Sequence, residues 1–168
     1  INIFCFGFGQ VAKNFIKKLI IEKYNVSLTI TSRNKSSKEK FNGIYYNNYL
    51  FNNNKFDNNL LKELKEADHI LVSIPPEKQE DLVVKNFSKF IKDSKAKWIT
   101  YLSATSVYGD HKGEWVNENS ETKPTSFNGI SRLKAENSWL SLQMNKNLSV
   151  QIFRLSGIYS NEKNILVR

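Results

Sequence analysis

Three observations predict an α/β fold, a Rossmann-type doubly wound parallel sheet of about six strands with helices on both faces. A short apolar run, Ile3-Phe4-Cys5-Phe6, ends in Gly7-Phe8-Gly9-Gln10-Val11-Ala12, a Gly-x-Gly-x-x-Ala turn. A helical pattern and then a β-rich run follow within about 30 residues, the context such a turn requires. From there strand and helix patterns alternate as far as Leu155, which implies parallel strands joined by right-handed crossovers.

The turn is the most informative stretch. Gly7 allows a sharp exit from the strand, and Gly9 lets backbone come close to a pyrophosphate. Ala12 lets the helix pack near the strand. The free N–H groups and the positive dipole end around Gly9 to Val11 suit phosphate. Gly7, Phe8, Gly9, Gln10 and Val11 are therefore candidate cofactor-binding residues.

The first helix runs from Gln10 to about Tyr24, with Val11, Phe15, Ile16, Leu19 and Ile20 at helical spacing. Val26 to Thr31 reads as the second strand. The basic loop Ser32-Arg33-Asn34-Lys35-Ser36-Ser37-Lys38 follows. An NAD-specific site places an Asp or Glu here to receive the ribose 2′-hydroxyl. No acid is present; Ser32 offers a hydrogen bond and Arg33 a planar cation suited to a 2′-phosphate, which favours NADP over NAD. The loop also fits a plain solvated basic segment.

Ile44-Tyr45-Tyr46 reads as a short third strand and Asn58 to Ala67 as a helix. A fourth strand enters at Asp68-His69 and ends at Pro75-Pro76, which stops the strand and starts a helix. Its end, Ser73, Ile74 and Pro75, lies on the carboxyl edge of the sheet, where such folds bind ligands. Leu82, Val83, Phe87, Phe90 and Ile91 mark the next helix, and Ala96 to Ser103 a fifth strand whose end adds Ser103 to the cofactor candidates. Ser126 to about Asn145 is a long helix with Ile130, Leu133, Asn137, Leu140 and Met144 on one stripe, capped by Pro124-Thr125-Ser126. Ser149 to Leu155 is the sixth strand.

Composition narrows the class. The 168 residues suffice for one domain with a real core, and 40% hydrophobic with 24% charged residues is ordinary for a soluble protein. No apolar run approaches the roughly 20 residues that span a bilayer. The sequence begins inside a strand pattern, without Met and without a basic leader, as expected of a trimmed or partial chain with no secretory signal. Its single cysteine, Cys5, excludes an internal disulfide and reads as a small buried hydrophobe, compatible with a cytoplasmic setting. The net charge of +9 raises nucleic-acid binding. However, the lysines are interleaved with acids, as in Lys62-Glu63-Leu64-Lys65-Glu66, which reads as a solvated face. His69 and His111 lack partners at metal-ligand spacing, so no metal is expected.

Further motifs carry a family resemblance. Tyr101-Leu102-Ser103-Ala104-Thr105-Ser106-Val107-Tyr108-Gly109-Asp110 resembles a strand of the extended short-chain dehydrogenases/reductases. Glu114-Trp115-Val116-Asn117-Glu118 and Lys123-Pro124-Thr125 are similar to their following loop. Lys134-Ala135-Glu136 and Phe153-Arg154-Leu155-Ser156-Gly157-Ile158-Tyr159 match later signatures. The likeness is to an atypical branch described as NAD-dependent epimerase/dehydratase-like proteins, which carries Gly-x-Gly-x-x-Ala in place of the more usual Gly-x-x-Gly-x-x-Gly. The resemblance covers essentially the whole chain. It makes residues 1–168 an NAD(P)-binding domain, followed in the family by a substrate-binding portion that this sequence does not include. It implies a nucleotide-sugar or small carbonyl or alcohol substrate, and homodimers paired through the helices of the fourth and fifth crossovers.

The resemblance also implies a Ser/Thr, a Tyr and a Lys for proton transfer. A tyrosine titrates near about pH 10 and needs a neighbouring cation to work at neutral pH. The three positions fall on Ala104, Asn128 and Arg132. Arg132 keeps a charge that suits a ribose hydroxyl or phosphate. Thr105 and Tyr108 are the remaining catalytic candidates, although strand alternation turns Thr105 away and Tyr108 belongs to the structural Val-Tyr-Gly. Two readings stay open: an NAD(P)-dependent oxidoreductase or epimerase, and a non-catalytic dinucleotide-binding sensor or interaction module.

Overall fold

The computed structural model describes residues 1–143 and 148–158. Its first strand, β1 (Asn2–Phe6), shows how the sheet is built. Side chains alternate across a strand, so Phe4 and Phe6 face one layer while Ile3 and Cys5 face the other. All four are buried, and that is why the run reads as uninterrupted hydrophobicity.

Helix α1 (Gln10–Ile21) packs Ala12 and Ile16 on the Ile3/Cys5 face, together with Leu28 and Ile30 of β2 (Ser27–Ser32). Helices α2 (Leu60–Lys65), α3 (Leu82–Lys92) and α4 (Phe127–Gln143) cover the other face. There Leu60, Leu64, Phe87, Ile91 and Trp139 meet Phe4, Phe6, Ile70, Val72, Ile99 and Tyr101. The remaining strands are β3 (Ser37–Phe41), β4 (Ile44–Asn52), β5 (Lys55–Phe56), β6 (His69–Val72), β7 (Trp98–Ala104) and β8 (Ser149–Leu155). Strands β4, β2, β1, β6, β7 and β8 lie side by side in that order, all parallel. The strand order reverses between β1 and β6, which opens a crevice at their carboxyl ends, where the turn over residues 7–12 lies.

The doubly wound sheet is as expected, and β8 has the expected bounds. Several elements differ. The sheet is mixed and has eight strands among the described residues. Residues 37 and 38, expected in a basic loop, open β3, which pairs antiparallel with β4 across an Asn42-Gly43 turn with φ of 45° and 89°. Asn-Gly is a strong hairpin signal; here the charged run Ser37-Lys38-Glu39-Lys40 hides the strand because it forms an exposed edge. Strand β4 runs on to Asn52, well past Tyr46, and β5 folds back on it. Helix α1 ends at Ile21 rather than near Tyr24, since Lys23 takes a left-handed φ of 63°. The fourth parallel strand, β6, ends at Val72, three residues before Pro75-Pro76, and the prolines do not start a helix. Helix α3 begins at Leu82, and the Asp81 carboxylate caps it by accepting from Val83 N and Val84 N.

Helix α4 does not bury the expected stripe. Asn137 and Leu140 are exposed and Ile130 and Leu133 half-buried, while Gly129, Ser131, Ala135, Glu136, Trp139 and Leu142 face inward. Its buried face carries the polar Ser131 and Glu136, so apolar periodicity points the wrong way. Met144, Asn145 and Tyr159 lie outside the described residues. Over β6, β7 and β8 the α1 face is an open apolar groove of about 460 Å³ in which Trp98 and Phe153 stay half exposed.

Candidate functional site

Gly7 leaves β1 with φ +82°, and a Cβ there would sit 2.6 Å from Ile74 Cγ2 and 2.9 Å from Ser73 Oγ. Only glycine fits that turn. The Gly7 N–H donates to Thr31 Oγ1 at 3.2 Å, which ties the turn to the end of β2. Ser73 fastens it from the other side: its N–H and its hydroxyl both donate to Phe6 O, at 2.9 and 3.2 Å. Gly9 is the N-cap of α1 and has extended backbone. No side chain caps this terminus, and the first turn carries no acid. A Cβ on Gly9 would meet nothing within 4 Å. The helix therefore presents unsatisfied N–H groups, the positive end of its dipole and open space above a bare backbone, which is what an anionic phosphate group needs.

Two clefts meet at Gly9. One, of about 300 Å³, lies toward β2 and is lined by Gly7, Phe8, Gly9, Ser32, Arg33, Ile74 and Pro75. The other, of about 240 Å³, lies toward β7 and is lined by Gly9, Gln10, Val11, Ser73, Ser103 and Arg132. The structure thus brings every cofactor-binding candidate named from the sequence to these two adjoining spaces. Sequence reasoning did not single out Phe51, Asn52 and Asn53, which come from the unexpected end of β4, nor Glu77 on the loop before α3. The length of β4 and the long gap from Pro76 to Asp81 were the signals available. Leu155, Ser156 and Ile158 add the end of β8 to the second cleft.

The catalytic candidates separate. Arg132 reaches the second cleft, and its Nη1 donates to Leu102 O at 2.6 Å. Thr105 opens a 3-10 turn (Thr105–Val107) and is exposed; it lines neither cleft. Tyr108 is buried, with the Arg154 guanidinium 4.8 Å from its ring centre, and also lines neither. Asn128 is exposed on the first turn of α4, and Ala104 is half-buried beside Arg132. The Ser103 hydroxyl is taken: it donates to Glu136 Oε1 at 2.5 Å.

The other sequence-flagged residues have structural surroundings. Cys5 is fully buried, and burial pushes its thiol up to about 12. His69 opens β6 with Nε2 2.9 Å from Thr100 Oγ1 and its ring edge-on to Phe15 and Trp98. His111 Nε2 lies 3.1 Å from Glu121 O. Among the described residues, no group of three His, Cys, Asp or Glu side chains is placed to hold a metal ion. No described helix is long and apolar enough to cross a membrane.

Fold and clefts define an α/β protein of the Rossmann class. Comparison with solved structures finds the same fold in several longer chains. A conserved protein of unknown function from Silicibacter pomeroyi is 28% identical over 94% of this chain and 53% of its own, with a TM-score of 0.74. UDP-glucuronic acid 4-epimerase from Bacillus cereus, in complex with NAD, is 17% identical over 95% of this chain and 57% of its own, with a TM-score of 0.74. A short-chain dehydrogenase/reductase superfamily protein from Agrobacterium tumefaciens, with bound NAD, is 14% identical over 92% of this chain and 48% of its own, with a TM-score of 0.64. The chain spans about half the length of the structures it matches. No family model and no curated protein matches it.

Proposed function

We propose that this chain is the NAD(P)-binding part of an oxidoreductase or epimerase of the extended short-chain dehydrogenase type. The observation that carries the reading is the uncapped α1 terminus at Gly9, flanked by a cleft on each side. The N–H groups of the first turn would hold the pyrophosphate. Ser32 and Arg33 would face the adenosine ribose, because the end of β2 is where this fold reads that sugar. Gln10, Ser73 and Arg132 would face the nicotinamide half. A bound nicotinamide dinucleotide supplies the hydride donor or acceptor. On charge alone Arg33 favours NADP, whereas the Bacillus cereus and Agrobacterium tumefaciens structures hold NAD.

Proton transfer is the weaker half. Arg132 is the one candidate at the cleft; as a guanidinium it is always charged, so it binds and orients an oxygen but does not trade a proton. That observation favours a second reading, a dinucleotide-binding module without turnover. The nucleotide-sugar substrate and the homodimer belong to the first reading; pairing would use the exposed Phe90 of α3 and Leu140 of α4.

Fluorescence titration with NADH and NADPH tests the shared claim, with saturable binding of at least one expected. No binding of either would end both readings and leave the basic surface as the feature to pursue. Cofactor turnover on a panel of nucleotide sugars and small carbonyls then separates the first reading from the second.

A further inference from the structure

The end of β2 lacks an acid, but the cleft beside it does not. Glu77 enters that cleft from the loop between β6 and α3. It stands on a built turn. The Glu77 N–H donates to Glu80 O at 2.9 Å and the Glu80 N–H donates back to Glu77 O at 2.8 Å. Lys78 and Gln79 between them take left-handed φ values of 46° and 67°. The turn is fastened on two sides: Lys85 Nζ donates to Glu80 Oε2 at 2.7 Å, and Lys134 Nζ donates to Gln79 Oε1. From this support Glu77 Oε1 meets Arg33 Nη2 at 3.4 Å.

We propose that Glu77 sets the choice between NAD and NADP and tips it toward NAD. The inference rests on the dinucleotide reading above. A 2′-phosphate brings close to two negative charges and needs a cation to receive it. Arg33 alone would provide one. Arg33 beside Glu77 offers almost no net charge, and the carboxylate repels the phosphate directly. A free ribose 2′-hydroxyl has the opposite need, an acceptor, and a carboxylate is a strong one. Both effects favour NAD. The acid that this fold ordinarily carries at the end of β2 is thus supplied from the neighbouring loop.

The pair is open to solvent, with side chains 75% and 44% exposed, so screening keeps the effect moderate. The test is the ratio of NADPH to NADH dissociation constants, measured by fluorescence titration at low salt. Glu77→Gln is expected to shift the ratio toward NADPH by about fivefold, the scale of one exposed charge pair. Glu77→Lys is expected to shift it further the same way, and Arg33→Ala the opposite way. If the unaltered protein binds neither dinucleotide, the dinucleotide reading falls and this inference falls with it. If both dinucleotides bind and neither Glu77 variant moves the ratio by twofold, the inference alone is overturned.

Discussion

Arg154 grips Glu136 through three contacts: Nη2 to Oε2 at 2.8 Å, Nε to Oε1 at 3.1 Å and Nε to Oε2 at 3.2 Å. Glu136 is 1% exposed and also accepts from Ser103 at 2.5 Å, while Arg154 lies over the Tyr108 ring. One buried carboxylate therefore joins α4, β7, β8 and the 3-10 turn. Ser103 and Leu155 of this assembly form part of the second cleft's wall. The resemblance picks out Lys134-Ala135-Glu136 and Phe153-Arg154-Leu155 as separate signatures; in space they are one clamp.

Breaking that clamp from the cationic side strands a buried charge. Arg154→Met is expected to cost about 3 kcal/mol, the lower end for a broken buried pair because Arg154 keeps some solvent contact. Converting both partners, Glu136→Met with Arg154→Met, removes the stranded charge and is expected to be more stable than Arg154→Met alone. Urea denaturation of the three proteins decides it. A double variant no more stable than the single one would mean that the pair contributes shape, not charge compensation.

The two glycines of the turn between β1 and α1 make opposite demands. Gly7→Ala places a Cβ 2.6 Å from Ile74 Cγ2 on a backbone with φ +82°. It is expected to destabilise the fold by about 1–3 kcal/mol. Gly9→Asp adds a side chain in open space at an N-cap, a position that favours Asp. Stability is expected to hold or to rise by roughly a few tenths of a kcal/mol, while dinucleotide binding is expected to be lost because the carboxylate would occupy the proposed phosphate position and repel it. Thermal melts and NADH titrations of both variants are the check. Unchanged NADH affinity in Gly9→Asp would remove the phosphate turn from the site.

Legibility tracks burial. The central strands β1 and β2 are legible because both their faces are covered, and an unbroken apolar run as short as Ile3 to Phe6, ending in a glycine turn, suits a central strand far better than a helix. β3 is not legible as a strand because its residues are exposed and charged, and its only signal is the Asn42-Gly43 turn. α4 misleads because its inward face carries Ser131 and Glu136 beside Ala135 and Trp139, whereas Ile130 and Leu133 of the regular apolar spacing are only half-buried and Leu140 is exposed. The turn over residues 7–12 is legible because glycine geometry is local. Glu77 is not, because a residue some forty positions from Arg33 becomes its neighbour only through the crossover from β6 to α3.

His69 should give the fold an acid-side weakness. Burial holds its imidazole below the ordinary value of 6.5. As the pH falls, the unfolded chain takes the proton first. The stability tied to neutral His69 is thus present in full above pH 6.5 and is lost as the pH drops through the folded-state value. His69→Gln keeps a polar group near Thr100 but cannot titrate. Its denaturation midpoint is expected to fall less than the parent's between neutral pH and about pH 5. Parallel pH profiles for the two proteins would assign the acid sensitivity elsewhere.

Arg132 offers the sharpest test of how the two clefts divide one ligand. It lines the cleft toward β7 and is absent from the lining toward β2, so on the proposed dinucleotide reading its contribution would fall on the nicotinamide half. Arg132→Ala is expected to weaken NADH binding by about tenfold, the lower end for a lost hydrogen bond from a charged group. It is expected to leave 5′-AMP binding unchanged, since that ligand reaches only the adenosine side and the pyrophosphate turn. Arg33→Ala reports the other cleft, and its effect should survive when the nicotinamide half is removed from the ligand. Competition of 5′-AMP and ADP-ribose against NADH measures each half separately. Equal losses for 5′-AMP and NADH in Arg132→Ala would mean that Arg132 acts through the fold around Leu102, whose carbonyl it holds at 2.6 Å, and not through the ligand.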